Sequence, residues 1–429
     1  MSLLPDFACR RRFAPLFGTQ FLGAFNDNLF KTTLFVMITF YGLGSNGMLP
    51  AGQMLNLGAL LFVLPYFIFS ALAGQLATRF DKARLAQMTK LLEIAVMLLA
   101  AAGFFGQSVW LLLLCLFIMG AQSALFGPVK YAVLPEYLDD KELVMGNGLI
   151  ESGTFVAILF GQIFGTLIAG QGMWLLALTV VAVAAAGWLC SLAMPPVPPR
   201  EPQLRIDGNI VRSTKTLLAQ TFARRDLATA VLGISWFWLV GAVYTTQLPV
   251  LVKQHLGGSD HVFNLMLALF SLGIAGGSVW CAKLSRGRLR LELVSRGAAG
   301  LAVCGVLLGW LCYGRLPETG DLAGLGTFLA QWCAYPVMLL ITAIGVCGGF
   351  FSVPLYTWLQ TACDDTFRAQ AVAANNIVNS LFMVAGALFS TVMLLLWDNT
   401  AVLYALVALG NVPVMVYLGR RERSLFRPH

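Results

Sequence analysis

Twelve long apolar segments, separated by shorter polar ones, constrain the fold of this chain more than any other feature of its sequence. Each can cross a bilayer as a helix, which takes about 20 residues, and in lipid the backbone has to satisfy its own hydrogen bonds. Only 11% of the 429 residues are charged, whereas a soluble domain carries about 25%. The sequence therefore predicts an all-α polytopic membrane protein with 12 transmembrane helices, at residues 13–41, 55–76, 85–105, 110–134, 144–169, 174–194, 227–252, 264–284, 293–313, 332–359, 371–396 and 401–418.

The spans divide into two sets of six around a polar and basic segment. We expect an N-terminal six-helix half at residues 1–196, a basic linker at 197–226, and a C-terminal six-helix half with a short basic tail at 227–429. Apolar residues between Ile210 and Thr221 have helical spacing, which predicts an amphipathic helix on the inner membrane surface. The alternative is a plain solvated linker. Six plus six spans around a central loop is the arrangement of the major facilitator fold.

An internal repeat relates the two halves. The fourth span reads GAQSALFGPVKYAVLPEYLDD from Gly120, and the tenth reads GVCGGFFSVPLYTWLQTACDD from Gly345. At a constant offset, glycine, phenylalanine, tyrosine, leucine and a final Asp-Asp coincide. After a short gap, Asn147 falls opposite Asn375. Two related halves are the simplest interpretation.

The basic residues lie in alternate loops, which predicts their orientation, because cytoplasmic loops are enriched in lysine and arginine. Both termini are then cytoplasmic. The opposite loops carry only Lys253 and Arg315. The residues assigned to cytoplasmic segments are Arg10–Arg12, Arg79, Lys82, Arg84, Lys90, Lys141, those within 200–225 and 283–296, Arg368 and those within 420–427.

The first span carries charged and amide side chains deep inside an apolar run. Asp27 and Lys31 are four residues apart and share one helix face, where they can neutralise each other. Asp27 lies about 21 Å along a helix that starts at Phe13, past the midplane of a core about 30 Å thick. A charge there costs roughly 2.5–3.5 kcal/mol and normally faces a bundle interior or a wet cavity. With Asn26 and Asn28, the pair is a candidate substrate- or ion-binding site; the alternative is an ion pair that only fixes helix packing.

Polar residues in later spans are candidates for the same cavity. Lys130 and Glu151 lie on consecutive spans at comparable depth and could pair. Asn147 is one turn before Glu151, while Asn375 and Asn379 form a polar stripe on the eleventh span. These side chains either line a cavity or hold neighbouring helices together.

Other residues of the spans have simpler expected roles. Glu93 in the third span either joins the cavity wall or forms a structural pair, and Glu136 lies close to the headgroups, where a carboxylate is cheap. Gly161 and Gly165 have the spacing of close helix packing.

The loop after the second span, GQLATRFDKARL at residues 74–85, resembles the signature of major facilitator transporters in that loop. Gly74 allows tight helix packing, and Arg79 and Arg84 hold the loop on the cytoplasmic face. The sequence departs from the signature twice, because Thr78 replaces its aspartate and Asp81 replaces its central glycine. From the resemblance to this signature, the candidate gating residues of the loop are Gly74, Arg79, Asp81 and Arg84.

Several other functional classes lack the residues they need. No phosphate-binding loop, zinc spacing or nucleophile elbow occurs, and no two of the nine cysteines form a CxxC pair, so we expect no metal site. The net charge of +8 lies in loops and indicates orientation rather than nucleic-acid binding. His255 and Asp260 have the His-x4-Asp spacing of glycerolipid acyltransferases, but they lie in a short outer loop that cannot hold such a domain.

Four segments from both halves together resemble one family, the bacterial lysophospholipid transporters of the major facilitator superfamily. They are AFNDNLFK at 24–31, LFGPVKYAVLPEYL at 125–138, ELVMGNGLIESGTF at 142–155 and SWFWLVGAVYTTQLP at 235–249. The last looks most like versions fused to acyltransferase and acyl-carrier-protein synthetase domains. We expect those enzymes to be separate polypeptides here.

The resemblance implies a non-enzymatic, monomeric flippase in the bacterial inner membrane. It would move lysophosphatidylethanolamine, and also lysophosphatidylglycerol, from the outer to the inner leaflet for re-acylation, without a cofactor. Asp27 could engage the ethanolamine ammonium, and Lys31 or Lys130 the phosphate. The sequence leaves open whether Asp27 carries a proton, helps to bind sodium, or does neither. Two alternatives are a drug or small-metabolite transporter of the same fold and, from another class, a membrane-bound acyltransferase.

Overall fold

The computed structural model describes residues 5–44, 51–314 and 322–425, where helices are joined by turns and irregular segments, such as that at 195–209, and one isolated bridge pairs Gly258 with Ala323. The all-α prediction is therefore confirmed. The helices of the described residues are α1 (Ala14–Phe40), α2 (Ala51–Arg79), α3 (Lys82–Phe105), α4 (Val109–Tyr137), α5 (Asp140–Ile168), α6 (Met173–Leu192), α7 (Ile210–Ala223), α8 (Arg225–Leu256), α9 (Asp260–Ser285), α10 (Glu292–Cys312), α11 (Leu325–Leu329), α12 (Ala334–Thr361), α13 (Arg368–Trp397), α14 (Thr400–Leu409) and α15 (Asn411–Leu425).

Eleven stretches of the described residues are long and apolar enough to cross a membrane, the last being Thr400–Arg420 over α14 and α15. They correspond to the second to twelfth predicted spans. The first predicted span is α1, a helix of 27 residues, long enough to cross but less apolar because Asn26, Asp27, Asn28 and Lys31 interrupt it. Arg315 and Arg427, two of the charges used to predict the orientation, lie outside the described residues.

The helices pack into two compact units, each formed from several chain segments. The predicted boundaries at residues 196 and 226 stay a prediction. The first unit comprises Met1–Gly146, Ala157–Ala228 and Leu359–Ser380, and the second comprises Asn147–Val156, Thr229–Trp358 and Leu381–His429.

The internal repeat has a counterpart in the packing inside each unit. A Cβ atom at Gly120 of α4 would collide with the backbone carbonyl of Phe62 in α2, and one at Gly345 of α12 would collide with the carbonyl of Phe270 in α9. In each case a glycine lets the fourth helix of its set approach the backbone of the second. Likewise α3 packs on α6, and α10 packs on α14. The repeated sequence thus gives repeated helix contacts.

Gly161 and Gly165 bring α5 against α1, as their spacing predicts. Added Cβ atoms would lie 2.6 Å from the Phe25 carbonyl oxygen and 2.8 Å from the Leu29 carbonyl oxygen. The Thr33 hydroxyl donates a hydrogen bond to the Gly165 carbonyl at 3.1 Å. Close backbone approach therefore fixes α1, the helix that carries Asp27, against α5.

The linker contains the helix α7, and its apolar face packs on other helices of the first unit. Asn209 caps α7 by accepting a hydrogen bond from the Arg212 amide at 3.0 Å. The Arg212 guanidinium also donates to Asp207 at 2.7 Å, which lowers the pKa of Asp207 to about 2. Leu217 is buried in a cluster with Ala71 of α2 and with Ala373, Ala374 and Ile377 of α13. The amphipathic pattern of the linker thus serves packing within the protein.

Substituting Gly161 by alanine should destabilise the protein. The new methyl group would force α1 and α5 apart, and overpacking of this kind typically costs about 1–3 kcal/mol. A lower thermal unfolding midpoint in detergent, by several degrees, is the expected measurement.

Gly276→Ala is the matched control. A Cβ atom at Gly276 meets no atom within 4 Å, and alanine is the better helix former by roughly 1 kcal/mol. Its midpoint should stay equal or rise. A Gly161→Ala midpoint equal to that of wild type would contradict the packing role.

Candidate functional site

A buried carboxylate on α3 organises the polar interior of the first unit. Glu93 and Lys90 are each only 1% exposed and form an ion pair, with Lys90 Nζ 2.6 Å from Glu93 Oε2. Asn26 of α1 donates an amide hydrogen bond to Glu93 Oε1 at 2.8 Å, and Gln122 of α4 donates to Oε2 at 3.4 Å. Gly23 leaves room for the Lys90 ammonium, which a Cβ atom there would displace. Three helices thus meet around one buried charge.

Asp27 lies next to this ion pair, at the middle of α1. The Ser123 hydroxyl of α4 donates a hydrogen bond to Asp27 Oδ2 at 2.6 Å. The other oxygen, Oδ1, is buried and has no hydrogen-bond partner among the described residues. Because a buried polar atom without a partner costs roughly 1–3 kcal/mol, it is a position where a ligand donor would bind favourably. The carbonyl oxygen of Asn26 is likewise buried and without a partner in this part of the chain.

Lys31 shares the face of α1 with Asp27, as predicted, but the two side chains do not form an ion pair in the described structure. Lys31 Nζ instead lies 5.1 Å from the centroid of the Phe62 ring on α2. An ammonium over an aromatic face is a weaker partnership than a carboxylate at contact distance. The site therefore presents a negative and a positive group that do not cancel each other directly.

Asn28 points elsewhere. Its amide donates to the Ala24 carbonyl at 2.8 Å, one turn earlier in the same helix. Its Cβ atom borders Gly161 of α5. In this structure Asn28 belongs to the α1–α5 contact, so of the two predicted asparagines Asn26 is the one that joins the charged cluster.

The candidates on α4 and α5 belong to different compact units. Lys130 Nζ lies 4.5 Å from the centroid of the Tyr131 ring. Asn147 and Glu151 are both fully buried on α5, and the Asn147 amide donates to the Thr357 hydroxyl of α12 at 3.2 Å. The predicted pair of Lys130 and Glu151 stays a prediction.

The predicted polar stripe on α13, Asn375 and Asn379, is buried. Burial is compatible with both expectations, a cavity lining and contacts between helices. Asn375 is fully buried, and neither atom of its amide has a hydrogen-bond partner among the described residues. Asn379, one turn later, is 8% exposed. Asn376 lies so close to Gly127 of α4 that a Cβ atom there would displace its amide.

The residues of the α2–α3 loop make packing, capping and ring contacts, and their gating role stays a prediction. Gly74 packs α2 on α13, where a Cβ atom would lie 2.8 Å from the Ala373 Cβ. Asp81 caps α3 by accepting from the Arg84 amide at 2.9 Å, and it also accepts from the Val197 amide at 3.0 Å. Asp81 thus ties the loop to the start of the linker. Arg79 lies over the Phe80 ring, with 5.3 Å from Cζ to the ring centroid.

A cluster of ion pairs surrounds the end of α4 near this loop. Arg200 of the linker pairs with Glu136 at 2.5 Å and with Asp365 at 3.3 Å, and Arg368 pairs with Asp365 at 2.6 Å. Lys82 Nζ lies 3.9 Å from Glu136. Hydrogen bonding to Glu136 raises the pKa of Arg200 above its ordinary value. The linker therefore holds α4 and the α12–α13 loop together.

Sequence reasoning assigned one important residue to the wrong place and missed two others. Lys90 was expected in a cytoplasmic loop, but α3 begins at Lys82 and buries Lys90 in its third turn, where Glu93 neutralises it. The spacing of a lysine and a glutamate three residues apart inside a predicted span was the available signal. Gln122 and Ser123 carried no such signal, because their partners lie on other helices. Among the described residues, no group of three or more histidine, cysteine or acidic side chains could hold a metal ion.

Comparison with known proteins places this architecture in a family. The sequence profile of the Major Facilitator Superfamily matches residues 16–317. Solved structures of the same fold include the human organic anion transporter MFSD10, with a TM-score of 0.72, 14% identity and coverage of 94% of this chain and 99% of that one. The fucose:proton symporter FucP of Escherichia coli has a TM-score of 0.71 at 13% identity, covering 95% and 98%. The predicted major facilitator fold is confirmed.

Closer relatives are bacterial proteins named lysophospholipid transporter LplT. The protein from an Enterobacter species is 31% identical over 412 residues, covering 93% of this chain and 89% of the relative. That from Cronobacter sakazakii is 31% identical over 374 residues, covering 85% and 84%. That from Escherichia coli K12 is 30% identical over 388 residues, covering 88% and 87%. The chain therefore belongs to the Major Facilitator Superfamily and, within it, to the family of the LplT transporters.

Proposed function

We propose that this protein transports lysophospholipids across a bacterial inner membrane. It would flip lysophosphatidylethanolamine, and also lysophosphatidylglycerol, from the outer to the inner leaflet. The observation that carries the proposal is the buried site with an incompletely paired carboxylate at Asp27 and an ammonium at Lys31. The names of relatives that match most of the chain support the same substrate class.

The chemistry of such a site suits a lysophospholipid headgroup. Phosphoethanolamine carries one positive and one negative group, and moving it through hydrocarbon without partners is costly. Asp27 would accept hydrogen bonds from the ammonium through Oδ1, while Lys31 would contact the phosphate. Lys130 is the second candidate for the phosphate. The single acyl chain needs no such partners and can stay in lipid.

The fixed surroundings of Asp27 would favour this role. Ser123 holds one carboxylate oxygen, and Asn26 is held by Glu93, so α1 presents Asp27 in one orientation. A preorganised acceptor loses little conformational entropy when the ligand binds. Alternating access, the mechanism of this fold, would then carry the bound headgroup across the membrane.

The proposed function also implies a membrane topology and partner enzymes. Both termini would lie in the cytoplasm, where a separate acyltransferase and acyl-carrier-protein synthetase would re-acylate the delivered lipid. The transporter would act as a monomer without a cofactor and without nucleic acid. If sodium or a proton is the coupling ion, lysolipid uptake would depend on the transmembrane gradient of that ion.

Uptake of labelled lysophosphatidylethanolamine by spheroplasts, with and without the protein, tests the proposal. We expect uptake to require the protein, and glycerophosphoethanolamine, which lacks the acyl chain, not to be taken up. Equal lysolipid uptake in both preparations would contradict the proposed function. Transport of the soluble headgroup instead would favour the small-metabolite transporter.

Replacing Asp27 by asparagine should distinguish the two lysolipids. Removing a charge-assisted hydrogen bond costs about 1.5–3 kcal/mol, which is roughly tenfold or more in affinity. Transport of lysophosphatidylethanolamine should therefore fall about tenfold or more, whereas lysophosphatidylglycerol, whose head has no ammonium, should be affected much less. The measurement is uptake of each lipid at equal amounts of inserted protein.

Asp260→Asn is the matched control, because Asp260 is an exposed acid whose side chain bonds only the neighbouring His261 amide among the described contacts. Its uptake of both lipids should equal that of wild type. If Asp27→Asn reduces the two lipids equally, Asp27 serves coupling or packing rather than the ammonium.

Lys31→Met should reduce uptake of both lysolipids, because each carries a phosphate. The unbranched methionine keeps most of the apolar stem against Phe62 while removing the charge. A loss confined to lysophosphatidylethanolamine would contradict the assignment of the phosphate to Lys31.

The acyltransferase alternative has its own test. His255 is buried in the last turn of α8, while Asp260 is exposed at the start of α9 and accepts from the His261 amide at 2.9 Å. A catalytic pair would require His255 to reach substrate. We expect His255→Ala to leave lysolipid uptake unchanged and no acyl transfer to be measurable in the wild type; acyl transfer that is abolished by this substitution would contradict a pure transporter.

A further inference from the structure

An apolar groove on the outside of α3 is distinct from the headgroup site. It has a volume of about 180 Å³ and is lined by Ala73 and Leu76 of α2, Leu85, Met88, Thr89 and Leu92 of α3, and Leu125 of α4. Met88 is 66% exposed and Leu92 is 37% exposed. In a protein that spans a membrane, such side chains face lipid, so the groove is open to acyl chains.

The exposed part of the groove, at Met88, and the buried Lys90–Glu93 pair lie on different faces of α3. At about 100° per residue, Lys90 and Glu93 are rotated by roughly 140–200° from Met88 around the helix axis. Burial agrees with this geometry, because Lys90 and Glu93 are each 1% exposed and Met88 is the most exposed side chain of the groove. A lipid held in the groove would therefore not occupy the place proposed for the transported headgroup.

By their helix positions, two arginines lie within about one turn of residues that line the groove. Arg84 lies one turn before Met88 on the same face of α3, and Arg79 follows Leu76 by three residues in the last turn of α2. Neither arginine has an ion-pair partner among the described residues, whereas Arg12, Arg200, Arg212, Arg224 and Arg368 all do. The nearby acid, Asp81, is engaged as the cap of α3 and by the Val197 amide.

We propose that this groove binds an anionic diacyl phospholipid of the surrounding bilayer, with its phosphate at Arg79 and Arg84 and one acyl chain in the groove. An apolar slot within about one helix turn of two unpaired guanidinium groups matches the two parts of such a lipid. Arginine is suited to the phosphate, because its planar guanidinium can donate two parallel hydrogen bonds. By the predicted orientation, the lipid belongs to the cytoplasmic leaflet.

Native mass spectrometry of the full chain, released from micelles that contain equal amounts of dioleoylphosphatidylglycerol and dioleoylphosphatidylethanolamine, tests this site. Wild type should retain one phosphatidylglycerol in preference to phosphatidylethanolamine. The double variant Arg79→Ala, Arg84→Ala should bind phosphatidylglycerol about tenfold or more weakly, since each arginine near a membrane surface contributes to attraction of anionic lipid. Leu92→Trp should also weaken retention by filling the groove, without a change in charge.

Arg288→Ala, Arg290→Ala is the matched control, because it removes two exposed arginines from the α9–α10 loop. It should retain phosphatidylglycerol like wild type. Equal retention of the two lipids by wild type, or unchanged retention by the Arg79 and Arg84 variant, would overturn the proposal.

Competition separates the site from the transport function. Adding lysophosphatidylethanolamine should not displace the retained phosphatidylglycerol; displacement would assign the groove to the tail of the transported lipid and overturn the proposal. Because retention is measured on purified protein, it stands or fails independently of lysolipid uptake.

Discussion

The structure of the first unit depends on one buried negative charge, the carboxylate of Glu93. A buried carboxylate needs a counter-charge and hydrogen-bond donors, and removing one partner of such a pair typically costs about 3–5 kcal/mol. Lys90 supplies the charge from the same helix, while Asn26 and Gln122 supply donors from α1 and α4. The requirement to satisfy Glu93 therefore fixes how these helices face each other, and Asp27 takes its position from that arrangement.

The two carboxylates of this site differ in how completely they are satisfied. Glu93 has an ion-pair partner and two amide donors, whereas Asp27 has the Ser123 hydroxyl and one buried oxygen without a partner. The fully partnered carboxylate of Glu93 stabilises the fold, whereas the carboxylate of Asp27 has an oxygen that can still accept a hydrogen bond from a ligand. Lys31 is in a similar position, because the Phe62 ring cannot neutralise its charge.

The positions of the membrane-spanning helices could be predicted because each depends only on the length and hydropathy of one local segment. The predicted span at residues 13–41 became Ala14–Phe40, and its Asn26 and Asp27 do join one hydrogen-bonded network with side chains of α3 and α4. Direct pairing of Asp27 with Lys31 was an expectation from helical spacing alone, and tertiary neighbours on α2 and α4 replaced it. Ser123 was not predictable, because a serine hydroxyl in a helix commonly bonds its own backbone. Lys90 was assigned to a cytoplasmic loop because that assignment considered the positions of basic residues alone. It took no account of Glu93, which neutralises Lys90 from three residues away.

The packing of α7 on α2 and α13 bears on the conformational changes open to the transporter. The linker helix is wedged between α2 and α13 by Leu217, and Asp81 and Arg200 fasten the chain before it. Parting α2 from α13 would break the contacts of Leu217, so their strength would contribute to the free-energy difference between conformations with and without this contact. The residues that hold the linker are different from those proposed to bind the headgroup, so a substitution at Leu217 would change the packing of α2, α7 and α13 and leave Asp27 and Lys31 in place.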